Sequence, residues 1–167
     1  AEDGIRDFCL SRGLGDVDKR QIQKEFYKGV PHRDAWAAVS GPWPAVYNGD
    51  IFTPEDAAVL CRDYPGTDAV MLGRGLMRDP ALLRRLRGGP AASAQELRTY
   101  HDRLLEAYRQ RLSGDQPVMH RMWELWAYLS AGFTQPEPYL KRMRKAKNLS
   151  EYRSAVDALF REQRYTT

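Results

Sequence analysis

The spacing of apolar residues along the chain changes at about residue 80. Before that point, two short apolar runs, 45–47 and 69–72, each come just before a glycine. Short runs of this kind are typical of buried strands, and the segment between them carries apolar residues at helical spacing. The pattern therefore predicts a strand, a helix and a second strand parallel to the first. After residue 80, the apolar residues recur at helical spacing.

Local signals indicate where several helices begin. Thr53 followed by proline is a strong helix start, and it predicts a helix over 54–63. On the apolar stripe of that helix, we expect Cys61 to be a buried core thiol. Asp79, also followed by proline, is the expected cap of a helix over 81–87.

Beyond residue 90 the predicted elements are helices with short connections. Ser93 and Glu96 have the spacing of a capping box, and Ser150 is the expected cap of the last helix. Four helices connected in this way predict a small bundle. They cover 94–112, 117–129, 136–146 and a segment from Glu151 onward.

Two segments lack such a pattern. Gly88 to Ala92 has the composition of a linker or a tight turn, so we expect two domains, 1–89 and 90–167. Ser11 to Gln21 is polar, contains two glycines and has no clear period, which predicts a loop.

Composition places the chain among globular proteins, with 43% hydrophobic and 29% charged residues. No apolar run approaches the roughly 18 to 20 residues that span a bilayer, and charges interrupt the first positions. We therefore expect a cytoplasmic protein with no membrane contact. Cys9 and Cys61 lie far apart without a partner motif, which predicts neither a disulfide framework nor a metal site.

Charge is distributed unevenly along the chain. The whole net charge of +4 lies in residues 90–167, which carry 13 Lys and Arg against 9 Asp and Glu. Such an excess is a weak indication of a polyanionic partner, because neutralised phosphates supply most of the sequence-independent affinity for nucleic acid. Ordinary solvated helix faces remain the alternative.

Two glycine-bearing segments follow the predicted strands: Asn48-Gly49-Asp50 and Gly73-Arg74-Gly75. The carboxyl ends of parallel strands open on the same side of a sheet, so the two segments are expected to lie together. Glycine lets backbone N–H groups approach an anion closely, and Arg74 adds a positive fork suited to phosphate. Asp50 either accepts a hydrogen bond from a ribityl or ribose hydroxyl or caps the next turn.

The same pair of loops favours one fold. In the eight-stranded β/α barrel, the loops after the last two strands commonly hold a phosphate. The predicted fold class is therefore α/β plus α, with the last strands of a partial TIM barrel followed by a four-helix domain.

These segments also resemble the closing part of the tRNA-dihydrouridine synthases, flavin enzymes that reduce a uridine in tRNA. The helices from Ser93 to Phe160 resemble the C-terminal tRNA-binding domain of that family, most closely that of the bacterial subfamily acting in the D-loop. The resemblance in the first half rests on Tyr47 to Ile51, on Asp68 to Gly75 followed by Asp79-Pro80, and on Phe26 to Gly29 with Trp36 downstream.

The resemblance implies a cofactor and a reaction. FMN would be held through its phosphate by Asn48, Gly49, Asp50, Gly73 and Arg74, with NAD(P)H as the reductant. The flavin would pass hydride to a flipped uracil of tRNA. The intact enzyme is expected to be a monomer.

For RNA, the candidates lie on two predicted helices. Arg121, Trp123 and Glu124 share one helix, and Arg144 and Lys147 lie at the end of the next. Trp123 is suited to stack on an unstacked base and the basic residues to clamp phosphates. The alternatives are that Trp123 belongs to the core and that the basic run is a solvated face.

Two departures from the family pattern are visible. The proton-donating cysteine of the family lies in an Asn-x-Gly-Cys-Pro motif that this sequence lacks, and neither Cys9 nor Cys61 matches it. No catalytic residue is therefore predicted, and the chain, which looks like the C-terminal half of an enzyme, is expected to be inactive alone. Ser11 to Gln21 stands where the family has a His-Gly-Arg-Thr type motif, through an insertion, a lineage difference or a joining error.

Two other functions remain open at this point. One is another phosphate-binding barrel, such as an FMN oxidoreductase of small molecules, which would need no basic helical appendage. The other is a non-catalytic helical RNA-binding module that uses the barrel remnant only as a scaffold.

Overall fold

The computed structural model describes residues 16–18, 33–36 and 44–166. Predictions that concern 4–10 and 26–31 lie outside these residues. Within them, the chain forms three short strands, eight helices and a 3-10 turn. The strands are β1 (Asp16–Asp18), β2 (Ala45–Tyr47) and β3 (Ala69–Val70). The helices are α1 (Arg33–Trp36), α2 (Pro54–Asp63), α3 (Arg74–Arg78), α4 (Leu82–Leu86), α5 (Ala94–Arg111), α6 (Asp115–Leu129), α7 (Glu137–Lys145) and α8 (Leu149–Glu162), with the 3-10 turn at Ser130–Gly132.

Contacts divide the chain into two compact units, Ala1–Gly75 and Leu76–Thr167, called here the sheet unit and the helical unit. The mostly helical chain with a small parallel sheet agrees with the coarse fold that the sequence predicts. The independent four-helix domain and the domain boundary between residues 89 and 90 stay predictions.

The sheet has the order β1-β2-β3, and all of its strands are parallel. Val46 is paired with Ala69 and Tyr47 with Val70, with α2 as the connection, so the predicted strand, helix and parallel strand are confirmed. β3 is two residues shorter than predicted, although Met71 N–H still donates to the Tyr47 carbonyl at 2.8 Å.

Two elements differ from the prediction. β1 lies inside Ser11–Gln21, the segment predicted as a loop. Its single valine between two aspartates gives no alternating apolar pattern that would predict a strand. The strand is defined by its pairing with β2. α3 begins at Arg74. This segment is also predicted as a loop, because the glycines on both sides of Arg74 are poor helix formers.

Helix α2 begins as predicted. The Thr53 hydroxyl accepts a hydrogen bond from the Asp56 amide, and the Asp56 carboxylate accepts one from the Thr53 amide, which completes a capping box. Ala57 and Leu60 are buried, whereas Cys61 is exposed, so the prediction of a buried thiol is wrong. One residue beyond Leu60 is a rotation of about 100°, which takes Cys61 off the buried face.

The helical unit is built around one contiguous core. Its buried residues come from α5, α6, α7 and α8 and include Leu97, Met122, Leu129, Met143 and Leu159. Among the described residues, no helix is long and apolar enough to cross a membrane.

The caps in the helical unit follow the sequence at α5 and differ from it at α8 and α4. Ser93 and Glu96 form the predicted capping box at α5. The cap of α8 is Asn148, not Ser150, because the Asn148 side chain accepts from the Glu151 amide at 2.9 Å. The N-cap of α4 is Ala81, without a side-chain capping bond, so the prediction of Asp79 as the cap is wrong. Buried Asp79 instead accepts from the Ala81 amide at 2.9 Å and pairs with Arg85, which fixes the turn before the helix.

A buried polar network connects three of these helices. His101 of α5 is fully buried, with Nε2 2.8 Å from the Tyr152 hydroxyl of α8 and Nδ1 2.9 Å from Asp102. The Trp126 indole of α6 donates to the same hydroxyl at 2.7 Å. A carboxylate only accepts, so Nδ1 carries the proton of the neutral ring and Nε2 accepts from Tyr152. Burial lowers the pKa of His101, against the opposing effect of Asp102.

Candidate phosphate site and nucleic-acid surface

The loops after β2 and β3 lie at the same edge of the sheet. Parallel pairing of Tyr47 with Val70 brings the carboxyl ends of both strands to this edge. An ion pair between the Arg74 guanidinium and the Asp50 carboxylate joins the loops. The two side chains are only 19% and 23% exposed. The structure thus brings Asp50 and Arg74 together, as the parallel arrangement predicts.

The partners of Asp50 bear on its two suggested roles. The amides of Phe52 and Thr53, which open the next turn, both donate to Asp56 at 2.9 Å. Asp56 therefore does the capping that was one alternative for Asp50. The carboxylate of Asp50 instead holds Arg74, which orients a guanidinium fork at the edge of the sheet.

Gly49 is required by packing inside the loop. A Cβ at this position would overlap the ring and hydroxyl of Tyr47, which is fully buried. Trp36 fixes that ring from one side by an edge contact at 5.3 Å, and its indole donates to Thr67 at 2.8 Å. Any side chain at position 49 would have to displace this packed pair.

Gly73 has no such explanation within the described chain. A Cβ at Gly73 would meet no atom within 4 Å, and the backbone there is not in the left-handed region. Neither packing nor conformation therefore demands glycine at this position. An open backbone beside an arginine is what close approach of an anionic ligand would use.

The charges at this edge fit a phosphate group. Arg33 lies near the Tyr47 hydroxyl and opposes the rise in its pKa that burial causes, so a second guanidinium approaches the loop that begins at Asn48. Arg33 thus adds a second positive charge near the Arg74–Asp50 pair, and Arg74 offers planar donors. Asn48 and Gly49 are partly exposed, so their backbone can be reached. Arginine donors and reachable glycine backbone are the chemistry that holds a phosphate monoester.

The candidates on α6 have partners within the helix. Arg121 and Glu124 are exposed and form an ion pair at 2.9 Å, and Glu124 also lies 3.8 Å from His120. The positive charge of Arg121 is thus largely compensated at the surface.

Trp123 lies half-buried between α6 and α7. Its indole donates to the Met143 carbonyl at 3.2 Å, and the ring packs against the helical core. The His120 ring contacts it edge-on at 5.8 Å. These contacts favour the alternative that Trp123 belongs to the core, at least for the buried part of its ring. Stacking of Trp123 on a base stays a prediction.

Arg144 and Lys147 are exposed and, within the described part of the chain, make no ion pair. The Lys147 backbone is fixed by Glu151 and Gln116, which leaves its ammonium group in solvent. Both side chains are therefore available for contact with an anion.

The structure brings Arg142, which belongs to the predicted basic run, together with Arg153 and Arg161, which sequence analysis did not single out. Two adjoining hollows of about 490 and 420 Å³, together called the α7–α8 groove, share Arg142, Ser150 and Ser154. Arg153 and Arg161 also line the larger one. The signal for them is a polar stripe on α8 at three- or four-residue steps: Ser150, Arg153, Ser154, Asp157 and Arg161.

Comparison with known proteins identifies one family. The sequence profile of "Dihydrouridine synthase (Dus)" matches residues 36–164, which include both loops of the sheet edge and all of α2 to α8. A tRNA-dihydrouridine(16) synthase of Ralstonia nicotianae is 49% identical over 45 residues. That similarity spans 27% of this chain and 14% of the length of the relative.

Proposed function

The chain belongs to the dihydrouridine synthase family, and on that premise we propose that it serves the reduction of a uridine in tRNA to 5,6-dihydrouridine. The observation that carries the proposal is the meeting of the Asp50 and Arg74 loops at one edge of a parallel sheet. In β/α barrels, the loops after the last two strands commonly hold a phosphate, and we propose the same role for this edge.

In this proposal, the sheet edge holds the phosphate of FMN. Arg74 donates to phosphate oxygens, Asp50 positions Arg74, and the backbone at Asn48, Gly49 and Gly73 approaches the anion closely. When bound, FMN that NAD(P)H has reduced supplies the hydride for the uracil ring. The residues of this chain bind and orient; they do not include the proton donor, because the Asn-x-Gly-Cys-Pro motif is absent. We therefore expect the chain to bind flavin without catalysing reduction by itself.

The helical unit is proposed to bind the tRNA substrate. Its support is the positive charge of residues 90–167 and the exposure of Arg144 and Lys147. Phosphate contacts of this kind position an RNA without reading its sequence.

The cofactor proposal is tested by titrating the purified protein with FMN and with riboflavin while following flavin fluorescence. We expect tighter binding of FMN, because only FMN has the phosphate. Arg74→Ala should weaken FMN binding roughly 10- to 100-fold, the value of one charge-assisted interaction, and leave riboflavin binding unchanged.

Gly73→Ala is the more discriminating variant. It should weaken FMN binding without lowering stability, because a methyl group at this position meets no atom of the described chain. Gly66→Ala is the matched control, since a Cβ at Gly66 also has open space and Gly66 lies before β3 rather than after it. Equal affinity for FMN and riboflavin, or equal effects of Arg74→Ala on both, would exclude a phosphate site here.

A flavin oxidoreductase of small molecules would use the same phosphate site, so flavin binding alone does not separate the two functions. A gel shift with a tRNA transcript does. Salt-sensitive binding of tRNA supports the proposed substrate, whereas flavin binding without tRNA binding would favour the small-molecule enzyme.

A further inference from the structure

We propose that the α7–α8 groove binds the phosphate backbone of the RNA, with Arg142, Arg153 and Arg161 as its phosphate contacts. The identity of the RNA as tRNA rests on the proposed function, whereas the assignment of these three arginines rests on the geometry and charge of the groove.

The groove runs along one face of α8. Ser150, Ser154 and Ala158 follow each other at four-residue steps and form a floor of small side chains. Arg142 of α7 and Arg153 of α8 are exposed along it, and Arg161 stands near the other end. The groove is therefore an open channel with small residues as its floor and long cationic side chains around it. A polynucleotide strand can enter this channel, and the serine hydroxyls are additional hydrogen-bond donors.

The groove keeps a positive charge because basic residues outnumber acidic ones in the segment that forms it. Residues 137–162 contain seven Lys and Arg against four Asp and Glu. Asp157 pairs with Arg98 at 2.6 Å, and Glu151 accepts from the Lys147 amide at 2.9 Å. Glu162 pairs with Arg161 and accepts from the Tyr139 hydroxyl, and both contacts lower its pKa.

Arg142 and Arg153 make no ion pair within 44–166. Their guanidinium groups are therefore available to an incoming anion. Arg161 keeps donors beyond the one that contacts Glu162, because a guanidinium carries five N–H groups.

The shape of the groove favours a chain of phosphates over one phosphate group. Arg153 and Arg161 are eight residues apart on α8, about 12 Å along its axis. All three arginines are exposed, so none is buried as in a pocket built for a small anion. A polynucleotide presents charges along such a length and gains affinity from each of them.

A protein partner fits the groove less well. Stable protein interfaces usually have a central apolar or aromatic anchor, and the apolar residues that line the two hollows are all alanines. An acidic protein segment is therefore the alternative that the test has to exclude.

The experiment measures tRNA affinity of the purified protein by fluorescence anisotropy between about 50 and 200 mM salt. Arg142→Ala, Arg153→Ala and Arg161→Ala should each reduce the slope of log affinity against log salt by roughly 0.7 to 0.9. Between the two ends of this fourfold salt range, the factor by which tRNA affinity falls should be roughly threefold smaller in each variant than in the wild type. Arg153→Lys should keep the slope, because it keeps the charge.

Arg103→Ala is the matched control. Arg103 is exposed on α5, five residues after Arg98, and this spacing places it about 140° around the helix from the side chain that contacts α8. It removes the same charge outside the groove and should leave the slope nearly unchanged. Far-ultraviolet circular dichroism of each variant checks that the helices are intact.

The outcomes separate this inference from the proposed function. If the wild type binds tRNA with a steep salt slope and the three groove variants match it, the groove assignment is wrong and the proposed function stands. A slope that changes only in Arg144→Ala and Lys147→Ala would place the contact on the outer face of α7. Absence of salt-dependent tRNA binding in the wild type would overturn both.

The alternative occupant has its own arm in the same experiment. Polyglutamate, an acidic polypeptide without phosphate, is added as a competitor at equal charge concentration. If it displaces tRNA from the wild type as well as unlabelled RNA does, the groove binds acidic polypeptide and the inference fails. We expect it to compete poorly.

Discussion

The two units place their candidate functional groups on different supports. In the sheet unit, the candidate phosphate site is made of main chain, two glycines and one ion pair, and it lies directly against buried Tyr47. In the helical unit, the candidate RNA contacts are exposed side chains over a contiguous core. A single added methyl group should therefore disturb the candidate phosphate site. Removing a charge from the candidate RNA contacts should change RNA binding and leave the fold of the helical unit unaffected.

The largest expected effect tests how rigid the helical support is. Tyr152→Phe removes the hydroxyl that accepts from Trp126 and donates to His101, and both partners are buried. Each partner left without a hydrogen bond costs about 1–3 kcal/mol, so we expect a loss of roughly 2–5 kcal/mol in the free energy of unfolding. Urea unfolding followed by circular dichroism measures it.

Tyr108→Phe is the control for this variant, because Tyr108 only packs against the edge of the same core. It should change stability by less than about 0.5 kcal/mol. A loss below about 1 kcal/mol in Tyr152→Phe would mean that water replaces the hydroxyl and that the core is more open than the structure indicates.

The next effect concerns the sheet unit. Gly49→Ala places a Cβ against the ring of Tyr47, which has Trp36 behind it, so the loop must shift. Overpacking of this kind costs about 1–3 kcal/mol. Hydrogen exchange of amides in 44–51, measured by mass spectrometry, should become faster, whereas Gly66→Ala should leave it unchanged. Unchanged exchange in Gly49→Ala would show that Tyr47 can move aside and would weaken the contrast between the units.

Sequence signals predicted those parts of the fold that local chemistry determines. Thr53 and Ser93 are caps in both the pattern and the structure, and the apolar runs before the glycines at 49 and 73 contain β2 and β3. The meeting of Asp50 with Arg74 followed from parallel pairing alone.

The elements that sequence analysis missed depend on neighbours in space. β1 is a three-residue strand with one apolar residue, and its pairing to β2 has no local signature. Asn148 and Ser150 are both good caps, and the two-residue difference between them decides where α8 begins. The α7–α8 groove required the packing of two helices, since its lining comes from residues 142–161 on both of them.

A smaller expected effect is a dependence of the stability of the helical unit on pH, which comes from His101. Burial lowers its pKa below the ordinary value of 6.5, although Asp102 and Asp157 oppose the shift and Arg98 adds to it. The unfolded chain then binds the proton first, so stability is retained above about pH 6.5 and falls as the pH decreases below it. Urea unfolding at about pH 7.5 and pH 5 tests the direction.

His101→Gln should remove most of this pH dependence, because it removes the titrating ring. His120→Gln should keep it, since His120 is 66% exposed on α6. The carboxylates with lowered pKa values, Glu96, Asp102 and Glu162, titrate below this pH range, so the comparison mainly reports His101. Equal stability of the wild type at both pH values would contradict a buried neutral His101.

The smallest effect tests where the helical unit begins. Arg84 of α4 pairs with Glu96 of α5 at 2.7 Å and donates to the Pro90 carbonyl at 2.9 Å. Gly88 has φ of +80°, and a Cβ at Gly89 would lie 2.7 Å from Arg84 Cγ, so this segment is a tight turn rather than a linker. These contacts hold α4 against the start of α5, and the domain boundary between residues 89 and 90 stays a prediction.

The pKa of Glu96 reports this junction directly. Arg84 and the Ser93 amide lower it to about 2, so its contribution to stability is present above about pH 4.5 and is lost as the pH falls toward 2. In a carbon-13 NMR titration, Arg84→Ala should raise this pKa only part of the way to its ordinary value, because the Ser93 amide still donates. Arg87→Ala, an exposed change at the end of the same helix, should leave it unchanged. An ordinary pKa for Glu96 in the wild type would mean that α4 is not held against α5. The domain boundary predicted between residues 89 and 90 would then describe the protein better than the division of the two units after Gly75.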